Sequence, residues 1–367
     1  MHKQFNPQRL KFARARRQRS MKDLAIEVEL TPRTISSYEN DKDKDIPEEN
    51  LKLIASKLNY PVEFFFGDDI EPIEKETVSF RALSKMKASQ RDAAIAAGEL
   101  GLLLNSWIES KFKLPDNELP DLAGNILPEE AAYALRSKWG LGEQAIKNVI
   151  QLLESKGIRV FSLMENNKEV DAYSFWKDET PYVFLNMQKS GERSRFDACH
   201  ELGHLILHKH AHPNGREAEH EANRFASAFL MSEGSVIANA PQFPDLNHLI
   251  KLKKLWDVSV SALVRRLYDL NIITDWHYQQ LSKDLARKGY YRKEPNGIPK
   301  EKSVLLDKIM QCLKSDKITI TSIATELNIP VDELAQLLLG VSVFSNHKAS
   351  IAISQNKTTT PKLRLVT

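Results

Sequence analysis

The chain reads as mainly α with a small β-sheet, an α+β architecture, on three observations. Apolar residues recur at helical spacing from about Pro7 to Phe66, and again over most of the chain beyond residue 77. Three short runs, IRVFSL, DAYSFW and PYVFLN, break that period with β-branched and aromatic residues separated by polar or turn residues. The last of them leads into FDACHELGHLILHKH, an amphipathic helical stretch with paired histidines.

The first unit takes its core from Leu10, Phe12, Ala13, Leu24, Ala25, Val28, Ile35, Leu51, Ile54, Ala55 and Leu58. Ser20 is placed to cap a helix from Met21, and Thr31 to cap one with Pro32 at its first position. The polar DKDKDIPEEN is a loop before one more helix, and GDDIEPIEKE is a hinge. From residue 77 to 156 the pattern predicts helices: ASQRDAAIAAGELGLLLNSWIES is the longest, followed by PEEAAYALRSKWG and EQAIKNVIQLLESKG. The three strand-like runs come next, then helices over about Ser194–His210 and Glu217–Leu230. Beyond Pro241 the chain is helical again through LKKLWDVSVSALVRRLYDLNII and ITITSIATELNIPVDELAQLLLG, and the last residues predict a flexible tail. No internal repeat is evident. The expected division is 1–70, 71–295, a C-terminal helical region at 296–345, and a tail at 346–367.

A chain of 367 residues has room for two or three domains. The net charge of +3 says little, but Met1 to Lys22 holds several Arg and Lys and no acidic residue. Two cysteines are too few for a disulfide framework. No signal peptide is visible and no run is long enough to span a membrane. These features predict a soluble cytoplasmic protein.

His200-Glu201-Leu202-Gly203-His204 is the pattern H-E-x-x-H. On a helix, positions i and i+4 share a face, so His200 and His204 can turn ring nitrogens toward one ion. Zinc lowers the pKa of a coordinated water to roughly 7, and Glu201 is placed to take its proton. A catalytic zinc site needs a third protein ligand. EAEHEANRFASAFLM offers Glu217, Glu219, His220 and Glu221. Glu219 and Asn223 form an i, i+4 pair, so Glu219 can bind metal while Asn223 holds a histidine N–H. The competing explanation is an ordinary amphipathic helix, its apolar face made by Leu202, Leu205, Ile206 and Leu207. His208, another turn along, can support the metal ligands from outside, though a surface or core histidine is the expectation; His210 and His212 are expected to be solvated, and Cys199 a small core residue.

RFDACHELGHLILH followed by EAEHEANRFASAFLM resembles the ImmA/IrrE family of zinc-dependent metallo-endopeptidases. The resemblance extends through VSFRALSKM, PYVFLN and WDVSVSALVRRLYDL, over roughly residues 75–295. It implies a zincin-like core in which His200, His204 and Glu219 bind Zn2+ and Glu201 is the general base, with Glu221 the alternative third ligand. Family members cleave specific repressor proteins and so switch on stress-response or mobile-element genes. The family often has proline where Ser232 stands. One of the strands around DAYSFW and PYVFLN is expected at a sheet edge, where an extended peptide can add through backbone hydrogen bonds.

MKDLAIEVELTPRTISSYEN resembles the helix-turn-helix of the XRE (Cro/C1-type) family, here in a five-helix N-terminal domain. The resemblance makes Thr31 to Glu39 the recognition helix. Arg33, Thr34, Ser36 and Ser37 are candidates to meet double-stranded DNA in the major groove. Arg17, with Arg14, Arg16 and Arg19 of the basic first helix, is a candidate for phosphates. Glu29 stands where the family usually has glycine, and Met21 where glutamine is common.

Two functions follow. One is a DNA-binding regulator joined to a zinc endopeptidase that cuts a repressor-type protein in stress-response, mobile-element or toxin–antitoxin control. The other is a transcription regulator whose metallopeptidase-like domain only senses a ligand or metal. Neither involves a membrane, and a homodimer is one possible assembly.

Overall fold

A computed structural model describes residues 4–41, 45–74, 78–80, 87–122, 126–163, 172–209 and 215–338. The expected tail at 346–367 and the histidines at 210 and 212 lie outside the described residues. The architecture is α+β.

The N-terminal unit has α1 (Pro7–Arg16), α2 (Met21–Glu27), α3 (Pro32–Asn40), α4 (Glu48–Leu58) and a 3-10 helix, Val62–Phe66. Asn6 caps α1, Ser20 caps α2 in a reciprocal box with Asp23, and Thr31 caps α3 ahead of Pro32. Glu29, at the family's glycine position, has φ +54°. The turn between α2 and α3 thus needs the left-handed conformation, and a residue with a side chain adopts it. The expected core residues are buried, with Phe12 packed against them, and Tyr38, Tyr60, Phe64 and Phe65 complete the core.

Next come β1 (Ser79–Phe80), α5 (Ala88–Glu109), α6 (Pro128–Lys138), α7 (Val149–Ser155), β2 (Arg159–Ser162), β3 (Ala172–Lys177) and β4 (Thr180–Leu185). The stretch from residue 77 is therefore not all helical, since β1 pairs antiparallel with β3. Nor does α7 begin where the periodicity of EQAIKNVIQLLESKG suggests. Arg136 takes the carbonyls of Gly142 and Gln144, and Arg195 takes that of Ile146. Carbonyls occupied by guanidinium groups are not building helix, and α7 starts only where Asn148 and the Glu301 carboxylate cap it.

The sheet order is β1-β3-β4-β2, with β2 parallel to β4 and the other pairs antiparallel. The β3–β4 hairpin turns through Asp178 and Glu179, both at positive φ, as a type I′ turn requires. Neither DAYSFW nor PYVFLN supplies an edge: β3 lies between β1 and β4, and β4 between β3 and β2. The two sheet faces serve different cores. Phe161, Tyr173, Phe175, Tyr182 and Phe184 face α5 and the N-terminal unit; Val160, Ala172, Val183 and Leu185 face the histidine helix. A Cβ at Gly101 of α5 would lie 2.6 Å from the Phe184 ring, so only glycine lets α5 settle this close.

The rest is helical: α8 (Gly191–Leu207), α9 (Arg216–Leu230), α10 (Glu233–Asn239), α11 (Leu246–Leu252), α12 (Val260–Asp269), α13 (Asp275–Arg287), α14 (Val304–Ser315), α15 (Ile320–Glu326) and α16 (Val331–Leu337). The helical run LKKLWDVSVSALVRRL is broken by Asp257 at φ +54°, and that at ITSIATELNIPVDELAQL by Asn328 at φ +55°. Each makes a helix–turn–helix like α2–α3, a repeat of geometry that the sequence does not display as a repeat. Leu306, Ile309, Leu313, Ile323, Leu334 and Leu337 of the last three helices join the core that holds the N-terminal unit.

Candidate metal centre

Ser190 caps α8 by accepting the Arg193 amide, and the helix then runs buried against the sheet. Trp176 of β3 donates its indole N–H to the Leu205 carbonyl at 3.0 Å. α9 crosses α8 at Gly203, where a Cβ would lie 3.1 Å from Phe225 and 3.2 Å from Ala222. The absence of a side chain there is what brings the acidic first turn of α9 over the histidines. Arg224 anchors the other side of α9 to Glu129 of α6 through two hydrogen bonds.

This packing brings together His200, His204 and Glu219, whose ligand atoms all lie within 4.8 Å of one another. The two Nε2 atoms are 3.1 Å apart. Glu219 places one carboxylate oxygen 3.5 Å from His200 Nε2 and the other 3.3 Å from His204 Nε2. Zinc–nitrogen bonds of 2.0–2.1 Å at a tetrahedral angle separate two ligands by about 3.3 Å, so these residues fit that ion. Burial pushes the Glu219 carboxyl up, but the two histidines, when their rings are protonated, outweigh it through hydrogen bonds and charge and hold it down at about 2.

Asn223 fixes His200. Its amide nitrogen donates to the Glu219 carbonyl at 2.7 Å, which leaves the amide oxygen 3.2 Å from His200 Nδ1. An oxygen only accepts, so Nδ1 carries the proton and Nε2 presents its lone pair. Glu201 is fully buried, and Ser174 of β3 donates to its Oε2 at 2.7 Å. The motif reading missed Ser174. Its signal was a hydroxyl on the β3 face that also carries Ala172 and Trp176.

The other carboxylate and histidine of this region are placed elsewhere. Glu221 does not join the cluster; its Oε2 meets His208 Nε2 at 2.8 Å. His208 is neither a surface nor a purely packed histidine, since its Nδ1 lies 3.0 Å from His204 Nδ1. Cys199 is in the core, where burial pushes its thiol up. A cleft of about 760 Å³ between α8, α9 and α12 has Asn223, Phe196, Arg224, Ser261 and Tyr290 in its walls, but none of His200, His204 and Glu219.

On the N-terminal unit, Arg33 is exposed at the start of α3, and Thr34, Ser36 and Ser37 follow half-buried. Arg17 has partners within the protein. Its guanidinium meets the Leu58 and Asn59 carbonyls at 2.7 and 3.2 Å and Glu333 of α16 at 2.7 Å. Its neighbours are committed too: Arg14 to Glu39, Arg16 to Glu333 and Arg19 to Glu27. Carboxylates thus hold Arg14, Arg16 and Arg17, while Arg19 stays about half exposed beside Glu27 and Lys11 is exposed.

No helix among the described residues is long and apolar enough to cross a membrane. No curated protein matches the chain. Family models match two stretches: residues 10–65 fit a helix-turn-helix, HTH_3, and residues 153–268 fit Peptidase_M78, an IrrE N-terminal-like domain. The chain thus joins an XRE-type helix-turn-helix domain to an IrrE-like domain of a metallopeptidase family.

Proposed function

We propose that the chain is a cytoplasmic DNA-binding regulator whose zinc-dependent endopeptidase site cuts a repressor-type protein in stress-response, mobile-element or toxin–antitoxin control. The observation that carries this reading is the convergence of two histidine Nε2 atoms and the Glu219 carboxylate, with Glu201 on the same helix. In this reading His200, His204 and Glu219 hold the ion, and Asn223 keeps His200 in the tautomer that can bind it. A zinc ion supplies a Lewis acid that polarises a carbonyl and makes water a nucleophile near neutral pH. Glu201 takes a proton from the attacking water as the new C–O bond forms. It delivers that proton to the amide nitrogen as the C–N bond breaks. Ser174 orients Glu201 by holding Oε2. Arg33, Thr34, Ser36 and Ser37 meet double-stranded DNA, on which the protein acts as a homodimer.

The test is co-expression with repressors encoded nearby, comparing wild type with Glu201→Gln. The amide keeps the size of the carboxylate but cannot accept the proton, so metal content is expected to stay and cleavage to stop. Cleavage by Glu201→Gln at the wild-type rate would sink the mechanism. The sensor reading draws on burial: His200 and Glu201 are 0 % exposed and His204 3 %. It replaces the endopeptidase reading if wild type cuts no repressor while a small ligand changes its DNA affinity.

A further inference from the structure

Glu221 and His208 are both buried or half-buried beside the centre, and the proposed chemistry uses neither. Their contacts run in one line. Glu221 Oε2 lies 2.8 Å from His208 Nε2, and His208 Nδ1 lies 3.0 Å from His204 Nδ1. His204 Nε2 is the atom that faces His200 and Glu219.

With both imidazoles neutral, as a histidine that binds metal through Nε2 must be, the proton positions along this line follow from what each atom can accept. A carboxylate only accepts, so His208 Nε2 carries the hydrogen that points at Glu221. A neutral imidazole has one N–H, so His208 Nδ1 is bare and accepts from His204 Nδ1. His204 then has its own hydrogen on Nδ1 and a lone pair on Nε2, directed at the centre. The order is carboxylate, imidazole, imidazole, with every donor facing an acceptor.

The geometry points to His208 and Glu221 as positioning residues for the metal: together they fix the tautomer and ring angle of His204 and strengthen its Nε2 as a donor. This rests on the metal reading above and goes beyond it. The two histidines are supported unequally. His200 leans on a neutral amide, Asn223, whereas His204 leans on an imidazole backed by a carboxylate. A hydrogen bond accepted from the outer ring nitrogen of a ligand raises that ligand's basicity, and losing such a partner weakens metal binding by ~10–100-fold. His208 is also one helical turn beyond His204, as His204 is one turn beyond His200, so α8 and its C-terminal end align all three rings. Glu221 reaches His208 from α9, two residues beyond Glu219, so α9 supplies both the centre's carboxylate and the carboxylate that supports its histidine.

The test measures Zn2+ affinity of the full chain by competition with a chromophoric chelator, together with the visible absorption of the Co2+-loaded protein. His208→Ala and Glu221→Ala are each expected to lose ~10–100-fold in Zn2+ affinity and to change the cobalt spectrum, while the unfolding midpoint of the metal-free protein moves little. His208→Gln, whose amide can accept from His204 and donate to Glu221, is expected to recover most of the affinity. Glu221→Gln keeps an acceptor and loses the charge, so it should fall between wild type and Glu221→Ala. Glu219→Gln should lose more than any of them. His208→Ala with affinity within threefold of wild type and an unchanged cobalt spectrum overturns the proposal. So does a His208→Gln protein no better than His208→Ala, because a simple packing role would give that pattern. If Glu221→Gln loses as much zinc as Glu219→Gln, Glu221 is itself a ligand and the assignment is wrong. A wild-type chain that binds no Zn2+ removes the metal reading and this proposal together, an outcome distinct from all the others.

Discussion

The helix–turn–helix α2–α3 and the helix–turn–helix α15–α16 have the same backbone and opposite uses. Ser20 and Thr319 cap their first helices, each in a reciprocal box, with Asp23 and with Ser322. Leu24–Ala25 and Ile323–Ala324 are buried at matching positions. Glu29 and Asn328 turn the chain at φ +54° and +55°, and the following amides, of Leu30 and Ile329, each return to the alanine carbonyl at 2.9 Å. Ile35 and Leu334 then bury the second helix. The difference lies in the residues that lead that second helix. In α3 they are Arg33, Thr34, Ser36 and Ser37, and Arg33 is exposed. In α16 they are Asp332, Glu333, Ala335 and Gln336, and Glu333 is 0 % exposed against Arg16 and Arg17 of α1. The first unit offers its second helix to solvent. The second turns its own inward, onto the first unit. Local backbone chemistry makes the motif; the side chains on one face decide whether it can meet a polyanion or docks on a protein.

The contrast can be broken most severely at Glu333. Removing one partner of a buried ion pair leaves the other charge uncompensated, at a cost of about 3–5 kcal/mol. Arg16 and Arg17 keep 10 % and 23 % side-chain exposure, which favours the lower end. Glu333→Ala is therefore expected to cost about 3 kcal/mol in denaturant unfolding, whereas Thr34→Ala, at the matching place in α3, should stay within about 1 kcal/mol. Equal losses would mean that the two helices are not used differently.

A second, smaller effect should appear on double-stranded DNA of mixed sequence at low salt. Arg33→Ala is expected to weaken binding by about 1–2 kcal/mol. Arg17→Ala should leave the salt dependence of binding unchanged, because its guanidinium is held by the Leu58 carbonyl and Glu333. A shallower salt slope for Arg17→Ala than for Arg33→Ala would place the phosphate contact on α1 after all.

The smallest effect concerns the turns. Glu29 holds a conformation that glycine adopts without strain, so Glu29→Gly should stabilise the chain by about 0.5–1 kcal/mol after the added freedom of the unfolded chain is subtracted. Asn328→Gly should gain less, since asparagine tolerates the left-handed region better than glutamate. Thermal unfolding of the two variants side by side checks the order, and a larger gain at Asn328 would reverse it.

The sequence by itself determined what depends on near neighbours. Ser20, Thr31 and Pro32 mark helix starts because caps act within three residues. His200, Glu201 and His204 share a helix face because four residues make about one turn. IRVFSL and PYVFLN are legible as strands because they are short β-branched and aromatic runs between turn residues. Tertiary structure decided whatever needed two distant segments. Glu219 and Glu221 are two residues apart and chemically alike, and only the crossing of α8 and α9 at Gly203 sends one to the histidine pair and the other to His208. Ser174 became a partner of Glu201 only when β3 was laid under α8. Arg17 looked free for phosphate until Glu333, more than three hundred residues later, came to lie beside it. EQAIKNVIQLLESKG lost its first turns because Arg136 and Arg195 occupy carbonyls that a helix would have used. The physical reason is the same in each case: short-range hydrogen bonds and periodicity are written along the chain, whereas the partner of a buried charge or hydroxyl is chosen by whichever group the packed core brings within about 3 Å.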